Sequence, residues 1–125
     1  MTPDLALDGL RLLVVEDETL VAMLLEDMLT DLGCVVVGLA GTVTQGVAIA
    51  RSADLALDAA VLDVNIGGER VFPVADALMA RHVPFVFVTG YGAGGLDVRY
   101  AGRPTLAKPF QLRTLAEALL RLSRR

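Results

Sequence analysis

An acid that closes a wholly apolar strand, followed closely by a pair of glycines, sharply limits how this chain can fold. In Asp58 to Gly68, DAAVLDVNIGG, residues Ala59 to Leu62 have the unbroken apolar character of a strand covered on both faces; Asp63 ends it, and Gly67 and Gly68 break the chain. An ionised carboxylate at the tip of an apolar strand is costly unless a cation or hydrogen-bond donors receive it. Those groups must come from elsewhere in the sequence, which calls for a fold that gathers several strand ends at one edge.

The remaining pattern supplies such ends. Leu10 to Val15 form a first strand that stops on Glu16, Asp17 and Glu18. Leu20, Val21, Leu24, Leu25, Met28, Leu29 and Leu32 then recur at helical spacing, with the acids expected in the first turn, where the helix dipole favours them, and Gly33 as the stop. Cys34 to Val37 read as a second strand, and Thr42, with Gln45 three residues on, opens a second helix through about Ala53. After the third strand and its glycines, Pro73 suits the first turn of a third helix ending near Arg81. Pro84 to Thr89 form a fourth strand and Thr105 to Ala107 a short fifth. Leu112, Leu115, Leu119 and Leu122 mark a last helix, with Arg121, Arg124 and Arg125 at its negative end. Between the fourth and fifth strands, Gly90 to Gly102 holds five glycines and leaves at most a weak helix over Leu96 to Ala101, in a segment expected to be mobile. Strands alternating with helices imply an α/β fold with a parallel sheet and right-handed crossovers, whose ligands collect beyond the carboxyl ends of the strands.

Composition narrows the class. A chain of 125 residues is expected to make one domain over residues 1–125, burying roughly two-thirds of its unfolded surface. A hydrophobic fraction of 54% beside 21% charged residues suits a sheet covered on both faces. The net charge of −4 would repel a phosphate backbone, so direct contact with nucleic acid is not expected. The start MTPDLALDGLR lacks the zones of a signal peptide, no apolar run approaches a membrane span, and the one cysteine, Cys34, has no partner for an intramolecular disulfide. The expectation is a cytoplasmic protein with no membrane partner, in which Cys34 is a small core residue and His82 a solvated loop residue.

At the expected sheet edge, Glu16 and Asp17 follow the first strand, Asp63 ends the third, Thr89 ends the fourth and Lys108 follows the fifth. Three converging carboxylates repel one another unless a hard cation neutralises them, and a ligand set of oxygens without His or Cys points to Mg²⁺ or Mn²⁺. With the cation present, Asp63 can stay ionised and attack phosphorus, while Lys108 and the Thr89 hydroxyl hold the phosphoryl oxygens. Gly90 keeps the approach open and leaves a backbone N–H near those oxygens.

The motifs VVEDE, LDVN, VTG and KPF, in this order and spacing, resemble the receiver domain of two-component response regulators over nearly the whole chain. FVTGYG further resembles an alphaproteobacterial-type subgroup with a Phe-x-Thr-Gly signature and a poorly formed fourth helix. The resemblance implies a flavodoxin-like, doubly wound five-stranded sheet of order 2-1-3-4-5. It assigns the phosphoacceptor to Asp63, the acid pair that binds the metal to Glu16 and Asp17, and a metal-binding backbone carbonyl to Asn65. The switch hydroxyl falls on Thr89 and the phosphate-binding lysine on Lys108, before a typically cis peptide to Pro109. Implied partners are a sensor histidine kinase or phosphotransfer protein and an unidentified downstream protein, with a homodimer as a further candidate. Three residues before the lysine, where the family usually carries an aromatic switch, stands Thr105; Tyr91 is a candidate for the moving aromatic instead.

Other chemistries fit less well. A haloacid dehalogenase type of phosphatase shares the strand-end Asp nucleophile but wants a second Asp two residues on, where this chain has Asn65. A flavin module would need a Ser/Thr/Gly-rich loop after the first strand, where three acids stand. A pseudo-receiver scaffold that takes no phosphate would have no use for the full set of acids, threonine and lysine.

Overall fold

The computed structural model describes residues 7–90, 98–100 and 102–123. Its central sheet is built from β1 (Arg11–Val15), β2 (Val35–Ala40), β3 (Ala59–Asp63), β6 (Phe85–Thr89) and β7 (Thr105–Ala107), all parallel and in the order β2-β1-β3-β6-β7. This is the 2-1-3-4-5 order once a small hairpin, β4 (Asn65–Ile66) with β5 (Glu69–Arg70), is set aside. The helices are α1 (Thr19–Asp31), α2 (Val43–Arg51), α3 (Phe72–Ala80) and α4 (Leu112–Ser123).

Because side chains alternate across a strand, each central strand feeds two cores. Leu13, Val15, Ala60, Leu62, Phe85 and Phe87 pack with α2 and α3 through Val43, Ala50, Val74, Ala75 and Leu78. On the other face Leu12, Val14, Ala59, Val61, Val86 and Val88 pack with α1 and α4 through Leu25, Leu29, Leu115, Leu119 and Leu122. Phe85 and Phe87 are essentially fully buried, and each such side chain stabilises the fold by about 1.5–3 kcal/mol relative to exposure.

Several boundaries depart from the sequence expectation. The three acids precede α1 and do not lie in its first turn; Glu18 is the N-cap residue and makes no side-chain cap. β2 continues past Val37 to Ala40, because Gly38 sits inside the strand, where a Cβ would meet Ile49 Cγ2 at 2.9 Å. α2 ends at Arg51, and its Thr42 Oγ1 accepts from Gln45 N at 3.1 Å while Gln45 Oε1 accepts from Gly41 N at 3.0 Å. Ahead of β7, the described residues Val98–Tyr100 form a short 3-10 turn, within the segment where at most a weak helix is expected. No helix among the described residues is long and apolar enough to cross a membrane. Tyr91, Arg124 and Arg125 lie outside the described residues.

Candidate functional site

The strand ends converge because parallel strands deliver their carboxyl termini to one edge. β3 runs into Asp63, β6 into Thr89, and pairing continues past both: Val64 N donates to Val88 O at 3.0 Å and Lys108 N to Thr89 O at 2.9 Å. Lys108 is therefore fixed at its backbone before its side chain reaches anything. The Lys108–Pro109 peptide is cis.

Lys108 Nζ lies 2.7 Å from Asp63 Oδ2 and 3.1 Å from Glu16 Oε2. Glu16, Asp63 and Thr89 are the buried polar or charged residues of the described chain, and no buried side-chain nitrogen or oxygen there lacks a hydrogen-bond partner. Burial first, then the neighbouring Asp63 carboxylate, push the Glu16 carboxyl up to about 7, against the pull of the Lys108 ammonium. For Lys108, burial alone would favour losing the proton; the Asp63 and Glu16 carboxylates outweigh it and raise its pKa. The ammonium thus stays charged between two acids that it holds together.

Asp17 and Glu18 are exposed, and with Glu16 their carboxylate oxygens lie within 4.8 Å of one another. Asp17, Glu18, Asp63, Asn65, Gly67, Gly68, Thr89, Gly90 and Lys108 line an open hollow of about 350 Å³. Glu16 does not line it, but Lys108, which does, links it to Glu16. Glu18, expected with its two neighbours in the first turn of the helix, stands at the rim.

The hairpin adds groups with no side-chain signature. Asn65 N donates to Asp63 Oδ1 at 3.1 Å, and Gly67 N donates to Asp17 Oδ2 at 2.9 Å across 50 residues. Val71 N donates to Val64 O at 3.0 Å, so Val64 and Val71 form a hydrogen-bonded pair and the next pair, Asn65 with Arg70, is a non-hydrogen-bonded one. In such a pair both backbone groups turn away from the partner strand. The Asn65 carbonyl is thereby kept out of the ladder, on the side where its N–H meets Asp63. An all-oxygen set of this kind fits a hard divalent cation.

Position 105 lies opposite Phe87, and Thr105 Oγ1 donates to Arg103 O at 3.1 Å. Phe87 is ringed by Phe85, Tyr100 and Phe72, at 5.3, 5.6 and 6.0 Å centroid to centroid, and Tyr100 is stacked on Phe72 and donates its hydroxyl to Asp76 on α3. Sequence reasoning missed Tyr100; its only signal was an aromatic among glycines close to β7.

The sequence profile of the response regulator receiver domain matches residues 12–120. The chain belongs to this receiver family. Its flavodoxin-like sheet agrees with solved receivers. SdrG from Sphingomonas melonis Fr1 is 49% identical with a TM-score of 0.78, over 94% of this chain and 97% of that one. The receiver domain of sensor histidine kinase PA1611 from Pseudomonas aeruginosa PAO1, solved with magnesium coordinated in its active-site cleft, is 27% identical with a TM-score of 0.79, over 94% and 99%. Among curated proteins, the phyllosphere-induced regulator PhyR of Methylorubrum extorquens is 37% identical over 106 residues, 81% of this chain. The receiver spans only 39% of that relative's length.

Proposed function

We propose that this receiver is a phosphorylation-activated signalling switch in which Asp63 accepts a phosphoryl group. The observation that carries the reading is the Lys108 ammonium 2.7 Å from Asp63 Oδ2 at the edge of a hollow that Asp63 shares with Asp17 and Thr89. An Asp63 oxygen attacks phosphorus as the bond to the donor breaks. The donor is a phosphohistidine of a sensor kinase or phosphotransfer protein, whose imidazole leaves, or a small acyl phosphate, whose carboxylate leaves. The product is an aspartyl phosphate.

Asp63, Asp17, Glu16 and the Asn65 carbonyl are the groups that would hold Mg²⁺ or Mn²⁺. When bound, the ion neutralises the acids and the phosphoryl oxygens, so that an anion can approach an anion. Lys108 and the Thr89 hydroxyl receive the charge that grows on the equatorial oxygens, with the Gly90 N–H beside them. Lys108 must leave Asp63 Oδ2 for the incoming phosphoryl, a short movement its four-carbon stem permits. Thr89, drawn toward the phosphoryl oxygen, shifts the end of β6, and through the Lys108 N–Thr89 O bond the shift reaches β7. The modified surface then signals by protein contact, which makes this a signalling protein and not a metabolic enzyme.

Mass spectrometry after incubation with acetyl phosphate and MgCl₂ tests the reading. One added phosphoryl group on the wild type and none on Asp63→Asn is the expected result. An unmodified wild type, or equal modification of both, overturns it.

A further inference from the structure

The β4–β5 hairpin has strands of two residues each, far short of what isolated pairing sustains, so its position depends on Ile66, which is buried in the core, and on what its ends and its tip touch. Its base is tied by Val71 N to Val64 O, its first strand by Asn65 N to Asp63 Oδ1, and its tip by Gly67 N to Asp17 Oδ2. Two of these three ties end on carboxylates of the hollow.

We infer that the hairpin is an outer clamp on the acid pair: Gly67 is a positioning residue whose N–H orients Asp17 for a divalent cation, as the Asn65 N–H orients Asp63. The inference rests on the reading of these acids as cation ligands. A carboxylate offers about four lone-pair sites, so one N–H on Oδ2 leaves the rest of Asp17 open to an ion. An exposed aspartate without that tie must give up side-chain freedom when it binds; a clamped one has already given it up. The glycine pair makes the clamp possible. Gly67 and Gly68 have φ of 57° and 85°, a two-residue turn with both central residues left-handed. Nothing lies within 4 Å of a Cβ built on either, so backbone angle and not lack of space demands glycine. Alanine at Gly67 disfavours that angle and swings the N–H away from Asp17, whereas asparagine tolerates it.

Calorimetric titration of the full chain with MgCl₂ reads the effect. Gly67→Ala is expected to weaken Mg²⁺ binding by about tenfold, the lower end for loss of a ligand's hydrogen-bond partner, and Gly67→Asn to restore it. A role confined to stability would lower the melting temperature of metal-free Gly67→Ala and leave its affinity unchanged, which overturns the inference. Hydrogen exchange of the wild-type Gly67 amide gives an independent test should Gly67→Ala not fold. Protection retained at saturating Mg²⁺ supports the clamp, and protection lost on binding means Asp17 leaves Gly67, which rejects it. A wild type that binds no Mg²⁺ at all rejects instead the assignment of the acids as ligands.

Discussion

Glu16 has no exposed side-chain surface and faces both Lys108 and Asp63. Its carboxyl, pushed up to about 7 by burial and by Asp63, lies above its unfolded value, so the protonated form favours the folded state. That contribution is fully present below an unfolded value of about 4.3 and is lost as pH rises through about 7. Above that pH the metal-free site carries its full negative charge, which a divalent cation would relieve. MgCl₂ should therefore raise the melting temperature more at pH 8 than at pH 5.5; equal shifts at both would contradict the state assigned to Glu16. Asp63 and Lys108 were legible in the sequence because a charge next to an apolar strand is costly unless it is partnered. The Gly67 N–H was not, because every residue but proline carries such a group and only the fold decides which one meets an acid.

Elements depend on close fits that residue types only hint at. A Cβ on Gly46 of α2 would come 2.8 Å from Val74 Cγ2 and 3.3 Å from Val15 Cγ2. Both valines are branched at Cβ and stiff, so neither can easily yield. Gly46→Ala gains about 1 kcal/mol of helix propensity, but overpacking costs about 1–3 kcal/mol, and the balance should be destabilising. A urea midpoint at or above that of the wild type would show that α2 can move off α3. The longer elements were readable from their apolar periods. The hairpin was not, since two-residue strands have no period; its one signal was the Gly67–Gly68 pair between Asn65–Ile66 and Glu69–Arg70. β2 was cut short for a related reason: Gly38 reads as a break and in fact marks where Ile49 presses on the strand.

At the scale of the molecule, two cores share one sheet. β1, β3 and β6 each send alternate side chains to both faces, so neither core can dissolve while the other stands. Unfolding in urea should be a single transition, with far-ultraviolet circular dichroism and tyrosine fluorescence coinciding. Separate midpoints would mean that α1 and α4 come away independently. The order of the strands entered the sequence reading through family resemblance, while alternation and the apolar runs themselves pointed to a parallel sheet. The partner of Asp63 could be named before the fold was known, because a lysine directly after a strand is expected at the same edge.

The ion pair between Glu16 and Lys108 joins residues 92 apart in the chain. A polypeptide still emerging from the ribosome has the acids long before it has the ammonium that balances them, and β7 must dock before the two can meet. The balanced pair of charges is therefore complete only once the last strand of the sheet has taken its place.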